Sequence, residues 1–106
     1  MARATLSTHV LDTTNGVPAA GVEVALYQGS TLAAKGLTGK DGRLARLGEE
    51  HEPGTYRLVF DVGAYFRARE LDTFLGSVSL EVRLAGGHQH IPLLVSRYGI
   101  VSYLGS

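Results

Sequence analysis

The stretch VSLEVRLAGGHQHIPLLV, residues 78–95, decides the fold. Its first seven residues alternate, with Val78, Leu80, Val82 and Leu84 on one side and Ser79, Glu81 and Arg83 on the other. Side chains of an extended chain point to opposite faces in turn, so this is a strand with one face in a core and one in water. Gly86-Gly87 breaks the run, and a second strand follows over His88–Val95. There Ile91, Leu93 and Val95 share one face, while His88, His90, Pro92 and Leu94 share the other. His88 and His90 are two residues apart, which puts their Cβ atoms roughly 6.5–7 Å apart on the same side.

The same pattern recurs upstream and downstream. Thr5–Leu11, Val22–Tyr27, Thr31–Leu37, Tyr56–Val62 and Ile100–Leu104 all read as short strands. Turn clusters separate them: Asp12-Thr13-Thr14-Asn15-Gly16, Thr38-Gly39-Lys40-Asp41-Gly42 and Pro53-Gly54. Residues 64–72 differ, because they are helix formers with no internal Gly or Pro. A helix that short depends on tertiary packing. The expectation is an all-β sandwich of seven to eight strands with one short helix at about 64–72, residues 1–106 forming a single domain.

Bulk properties narrow the function classes. Ten Lys+Arg balance ten Asp+Glu, which argues against nucleic acid as a partner. No apolar run approaches the roughly 20 residues of a membrane span, so no membrane is expected. The first residues carry no hydrophobic signal core, and the expected location is cytoplasmic. With no cysteine there is no disulfide and no thiolate site.

Four histidines remain as the chemically informative residues. On the first strand, Thr5, Ser7, His9 and Leu11 share a face opposite Leu6, Thr8 and Val10. On the last, Val101 and Tyr103 lie opposite Ile100, Ser102 and Leu104. A face that mixes His with Leu and Pro suits an interface or ligand cleft better than open solvent. The i, i+2 pair His88 and His90 is compatible with metal ligation, but no Cys or carboxylate spacing supports it, and no metal or cofactor is expected. His51, in the polar loop Gly48–Pro53, reads as a half-exposed surface residue. Arg43, just after a turn, reads equally well as an ordinary surface cation.

Taken together, the motifs resemble a known family. Leu6-Ser7-Thr8-His9-Val10-Leu11-Asp12-Thr13, with Gly16, Pro18 and Ala19, resembles the N-terminal signature of the transthyretin-related proteins. Asp41-Gly42-Arg43 is similar to that family's internal arginine motif, and His88-Gln89-His90-Ile91-Pro92-Leu93-Leu94 to its His-aromatic-His-Val-Pro-Leu-Leu stretch. Tyr103-Leu104-Gly105-Ser106 stands where the family ends in Tyr-Arg-Gly-Ser. The family's enzymes are 5-hydroxyisourate hydrolases of urate degradation.

The resemblance implies a transthyretin-like sandwich and a cofactor-free ring-amide hydrolysis giving 2-oxo-4-hydroxy-4-carboxy-5-ureidoimidazoline. It implies His9, Arg43 and His90 as catalytic groups. Tyr103 and Ser106 are implied at the substrate cleft, with His88 beside them as a binding or supporting group. It further implies a homotetramer with clefts where dimers face each other. Histidines suit proton transfer near neutral pH, and an arginine that cannot deprotonate suits an oxyanion. Which histidine is acid and which is base stays open.

Four places depart from the family pattern: Leu104 for arginine, Gln89 for the aromatic, Ser96-Arg97 for Ser-Pro, and Phe74-Leu75-Gly76 for an aromatic-Pro segment. These keep two other readings in play, a transthyretin-like small-ligand binding protein and a divergent cyclic-amide hydrolase.

Overall fold

The computed structural model describes residues 2–106. Ten strands and one helix follow in chain order: β1 (Ala4–Asp12), β2 (Val17–Pro18), β3 (Glu23–Gln28), β4 (Thr31–Leu37), β5 (Arg43–Leu44), β6 (Gly54–Phe60), α1 (Val62–Ala68), β7 (Val78–Leu84), β8 (Gly87–His90), β9 (Leu93–Ser96) and β10 (Gly99–Ser102). They form two sheets. One runs β4-β3-β6-β7; the other runs β10-β9-β1-β2, with β5 and β8 also paired to β1. The sandwich is as the alternation predicts, and the short helix follows from the run of helix formers, with bounds corrected below. All seven sequence-predicted strand segments are present, and the two-residue β2 and β5 are added along β1.

The core lies between the sheets. Leu6, Val10, Ile91, Leu93 and Val95 come from one sheet and Val24, Leu26, Leu58 and Phe60 from the other, all buried. Burying each such side chain stabilises the fold by about 1.5–3 kcal/mol. The faces assigned by parity to β1, β8 and β9 are therefore the faces observed.

Three expectations need correction. The helix spans Val62–Ala68 rather than 64–72. The Asp61 side chain caps it by accepting from the Ala64 N–H, which starts it early, so Val62 leaves the preceding strand. Glu70 at φ 59° turns the chain out of helical geometry soon after Ala68. The strand expected over 88–95 is two strands, broken at Ile91-Pro92. Proline has no N–H to give a ladder. The Thr8 hydroxyl donates to the Ile91 carbonyl (2.6 Å) and the Ser102 hydroxyl to the Pro92 carbonyl (2.8 Å), which satisfies the carbonyls at the break. Finally, His51 is buried rather than half-exposed. Its Nε2–H donates to the Leu47 carbonyl (2.7 Å), and its backbone exchanges two hydrogen bonds with Ala4.

Asp12, at the end of β1, ties the sheet to the helix. It accepts from the Asn15 backbone (3.0 Å), the Asn15 side chain (2.7 Å) and the Tyr65 hydroxyl (2.7 Å). Burial pushes the Asp12 carboxyl up, but these bonds outweigh it and hold it below its usual value. Burial and the neighbouring Asp12 raise the Tyr65 hydroxyl to about 12.

Candidate active site

β1 is the spine of the site because it is paired on both sides. On one side His9 is the antiparallel register partner of Arg43. On the other, Thr5 partners His88 and Ser7 partners His90 in a parallel ladder. Register partners share a face, and Ser7 and His9 share one by alternation. One face of one sheet therefore carries His9, Arg43, Ser7, His88 and His90. No pair of the three elements concerned is adjacent in sequence, so the cluster is a product of the sheet order.

Local structure fixes each group. Arg43 follows a tight turn in which Gly42 has φ 76°. A Cβ at Gly42 would run into the Val10 carbonyl oxygen, so the turn lies directly against β1 only because residue 42 is glycine. The Gly42 carbonyl accepts from Val10 N–H (2.8 Å). Asp41 accepts from the Arg43 backbone (3.0 Å), and its carboxylate lies 4.0 Å from the Arg43 guanidinium. The His9 Nε2–H donates to the Asp41 carbonyl oxygen (2.8 Å), so in the neutral ring Nδ1 carries the lone pair. The Asp-Gly-Arg turn thus holds both Arg43 and His9.

His90 is half-buried, and its Nδ1 lies 2.8 Å from Ser7 Oγ. The same oxygen lies 2.8 Å from His88 Nε2, while His88 Nδ1 lies 2.7 Å from Thr5 Oγ1. Both nitrogens of His88 are therefore occupied by hydroxyls. Burial first, then the positive charge of Arg43 and the neighbouring His9 and His88, lowers the His90 pKa. His90 is thereby held as neutral imidazole at neutral pH, the form that accepts a proton.

The C-terminal tail closes over this ring. Gly105 N–H donates to the His90 carbonyl (2.7 Å). A Cβ at Gly105 would sit 2.8 Å from His90 Cδ2. Ser106 is exposed next to it. Tyr103 is largely exposed, and with Leu104 it lines a cavity of about 440 Å³ shared with Leu80, Val82, Gln89 and Ile91. Gln89 and Ile91 face away from the histidines by alternation. Among the described residues, the structure brings His9, Arg43, His88 and His90 together and joins the tail to them through Gly105, not through a side-chain hydrogen bond of Tyr103 or Ser106.

Ser7 and Gly105 escape the sequence reading as site residues. Ser7 carries a usable signal, since it shares the face of His9 by parity. The Gly105 contact has no sequence signal, because it depends on where the tail crosses β8.

Comparison with known proteins identifies the family and the fold. The sequence model of the HIUase/Transthyretin family matches residues 6–105. A relative named 5-hydroxyisourate hydrolase in Salmonella typhimurium is 43% identical over 109 residues, covering 95% of this chain and 80% of that protein. The structure of Klebsiella pneumoniae 5-hydroxyisourate hydrolase superposes with a TM-score of 0.93 at 32% identity, covering 97% of this chain and 99% of that one. Transthyretin from Sparus aurata superposes with a TM-score of 0.87 at 26% identity, over 94% of this chain and 95% of that one.

Proposed function

The chain belongs to the HIUase/transthyretin family, and from that premise we propose that His9, Arg43 and His90 carry out the chemistry of a 5-hydroxyisourate hydrolase. The observation that carries this reading is the shared face: two ladders on β1 bring both histidines and the arginine to one surface.

His90 is the general base. It is neutral, its Nδ1 is occupied by Ser7, and its Nε2 is left to take a proton from water. The water oxygen adds to a ring amide carbonyl, and Arg43 stabilises the oxyanion that forms. The carbonyl carbon–nitrogen ring bond then breaks, and the leaving nitrogen takes the proton now on His90 Nε2, while the Nδ1 lone pair of His9 accepts a hydrogen bond from the substrate. Each turnover consumes one water and opens one ring, with no cofactor. Leu104, where the family has arginine, is exposed and lines the cavity beside Tyr103.

We extend the proposal to a homotetramer whose facing dimers enclose the site. Arg43 is half-exposed in the single chain, and Ile100, Val101, Tyr103 and Leu104 form an exposed apolar run along β10 and the tail. A second copy covering this run would both bury it and dry the site. Tyr103 and Ser106 belong to the substrate cleft in this assembly.

The test is the decay of freshly generated 5-hydroxyisourate followed by absorbance. Acceleration in proportion to protein concentration is expected. Decay at the uncatalysed rate contradicts the proposal, and so does a monodisperse monomer by light scattering for the assembly.

A further inference from the structure

Ser7 stands between two histidines that cannot reach each other, and this has a chemical consequence. Its hydroxyl is 2.8 Å from His88 Nε2 and 2.8 Å from His90 Nδ1. It is buried between them. A hydroxyl owns one proton, so it donates to one ring nitrogen and accepts from the other. The tautomers of the two rings are thereby locked to one another. The far nitrogen of His88 ends on Thr5 Oγ1 (2.7 Å), and the His88 side chain is exposed.

We infer that Ser7 is a positioning residue that holds His90 in its Nδ1–H tautomer and links it to His88 as a proton exit to solvent. This deepens the hydrolase reading and rests on it for the direction of proton flow. At rest His90 Nδ1–H donates to Ser7 Oγ, Ser7 O–H donates to His88 Nε2, and His88 Nδ1–H donates to Thr5 Oγ1. That order leaves a lone pair on His90 Nε2. When His90 Nε2 takes the proton of the attacking water, His90 Nδ1 gives its proton to Ser7. Ser7 gives its own to His88 Nε2. His88 then carries two N–H groups and releases Nδ1–H to solvent, with Thr5 rotating to donate in turn. One proton enters, one leaves, and no bond between heavy atoms changes. His90 is left with its proton on Nε2, ready to donate, and the reverse shift resets it. The charged and titratable groups facing His90 are Arg43, His9 and His88. The fixed charge of Arg43, with two further histidine rings beside it, opposes a lasting imidazolium, so an exit at the exposed ring suits the site.

The experiment combines kinetics with long-range ¹⁵N–¹H NMR of the histidine rings in the wild type, Ser7→Ala and Ser7→Thr. The wild type should show His90 as the Nδ1–H tautomer. Ser7→Ala should lose that tautomer and lower kcat by about 10–100-fold with KM nearly unchanged, as for other orienting partners of catalytic groups. Ser7→Thr, which keeps the hydroxyl, should restore both. The inference is overturned if Ser7→Ala keeps the Nδ1–H signal of His90 or wild-type kcat, or if a folded Ser7→Thr falls as far as Ser7→Ala. Failure of the hydrolase reading itself shows separately, as an inactive wild type, and the tautomer measurement needs no substrate.

Discussion

His9 and Arg43 are direct register partners across the antiparallel ladder between β1 and β5, and the carbonyl of Asp41 receives the Nε2–H of His9. The His9 ring and the Arg43 cation are thus both set by one glycine-containing turn packed against one strand. The consequences can be read in separate experiments.

Removing the cation should cost catalysis more than binding. Arg43→Gln should lower kcat by about 10²–10³-fold, the usual effect of losing one oxyanion donor. It should also move the His90 titration upward, because one of the charges that depresses it is gone. Histidine NMR titration of the variant checks this second effect without any turnover.

The pH profile should have an acid limb set by His90. Burial, then Arg43, His9 and His88, lower its pKa in the folded protein. Activity needs the neutral ring, so kcat/KM should fall with falling pH around a midpoint below about 6.5, the ordinary histidine value. Linkage gives the sign for stability. The unfolded chain takes this proton first, so stability rises with pH between the folded and unfolded values and the penalty is complete below the folded value. Urea melts from pH 5 to 8 on wild type and His90→Asn measure that difference.

The tail should report on His90 rather than on the core. Gly105→Ala places a Cβ against the His90 ring edge, and the ring or tail must shift. A misplacement of about 1 Å in a reacting group can cost 10²-fold in rate. The expected result is a large loss of kcat/KM with an almost unchanged melting temperature, read by the absorbance assay and calorimetry.

The link between β1 and α1 should be structural only. Tyr65→Phe removes one buried hydrogen bond to the Asp12 carboxylate and keeps the ring packing. A loss of about 1.5–3 kcal/mol is expected from urea melts, with kcat little altered.

Much of this was legible along the chain. Alternation in Val78–Leu84 and in His88–Val95 predicted which side chains enter the core, and Ile91, Leu93 and Val95 do so. It also placed His88 and His90 on one face and His9 on the same kind of face of another strand. What alternation cannot supply is which strands are neighbours. Ser7 meets His90 across 83 residues of sequence through a parallel ladder, and no local pattern encodes that pairing. The break at Pro92 was visible as a residue, but the hydroxyls of Thr8 and Ser102 that satisfy its surroundings were not. His51 is buried where its polar loop suggests half-exposure, because a loop sequence says nothing of the carbonyl waiting at Leu47. The helix was displaced because its start is set by the Asp61 cap rather than by helix propensity.

The most direct test of the account is the steady-state rate of 5-hydroxyisourate hydrolysis by His90→Asn beside the wild type. Asparagine keeps a polar group near Ser7 but cannot serve as the base. A fall in kcat of about 10²–10⁴-fold in a folded variant is predicted. A folded His90→Asn that turns over at close to the wild-type rate would contradict the assignment of His90 and the site built around it.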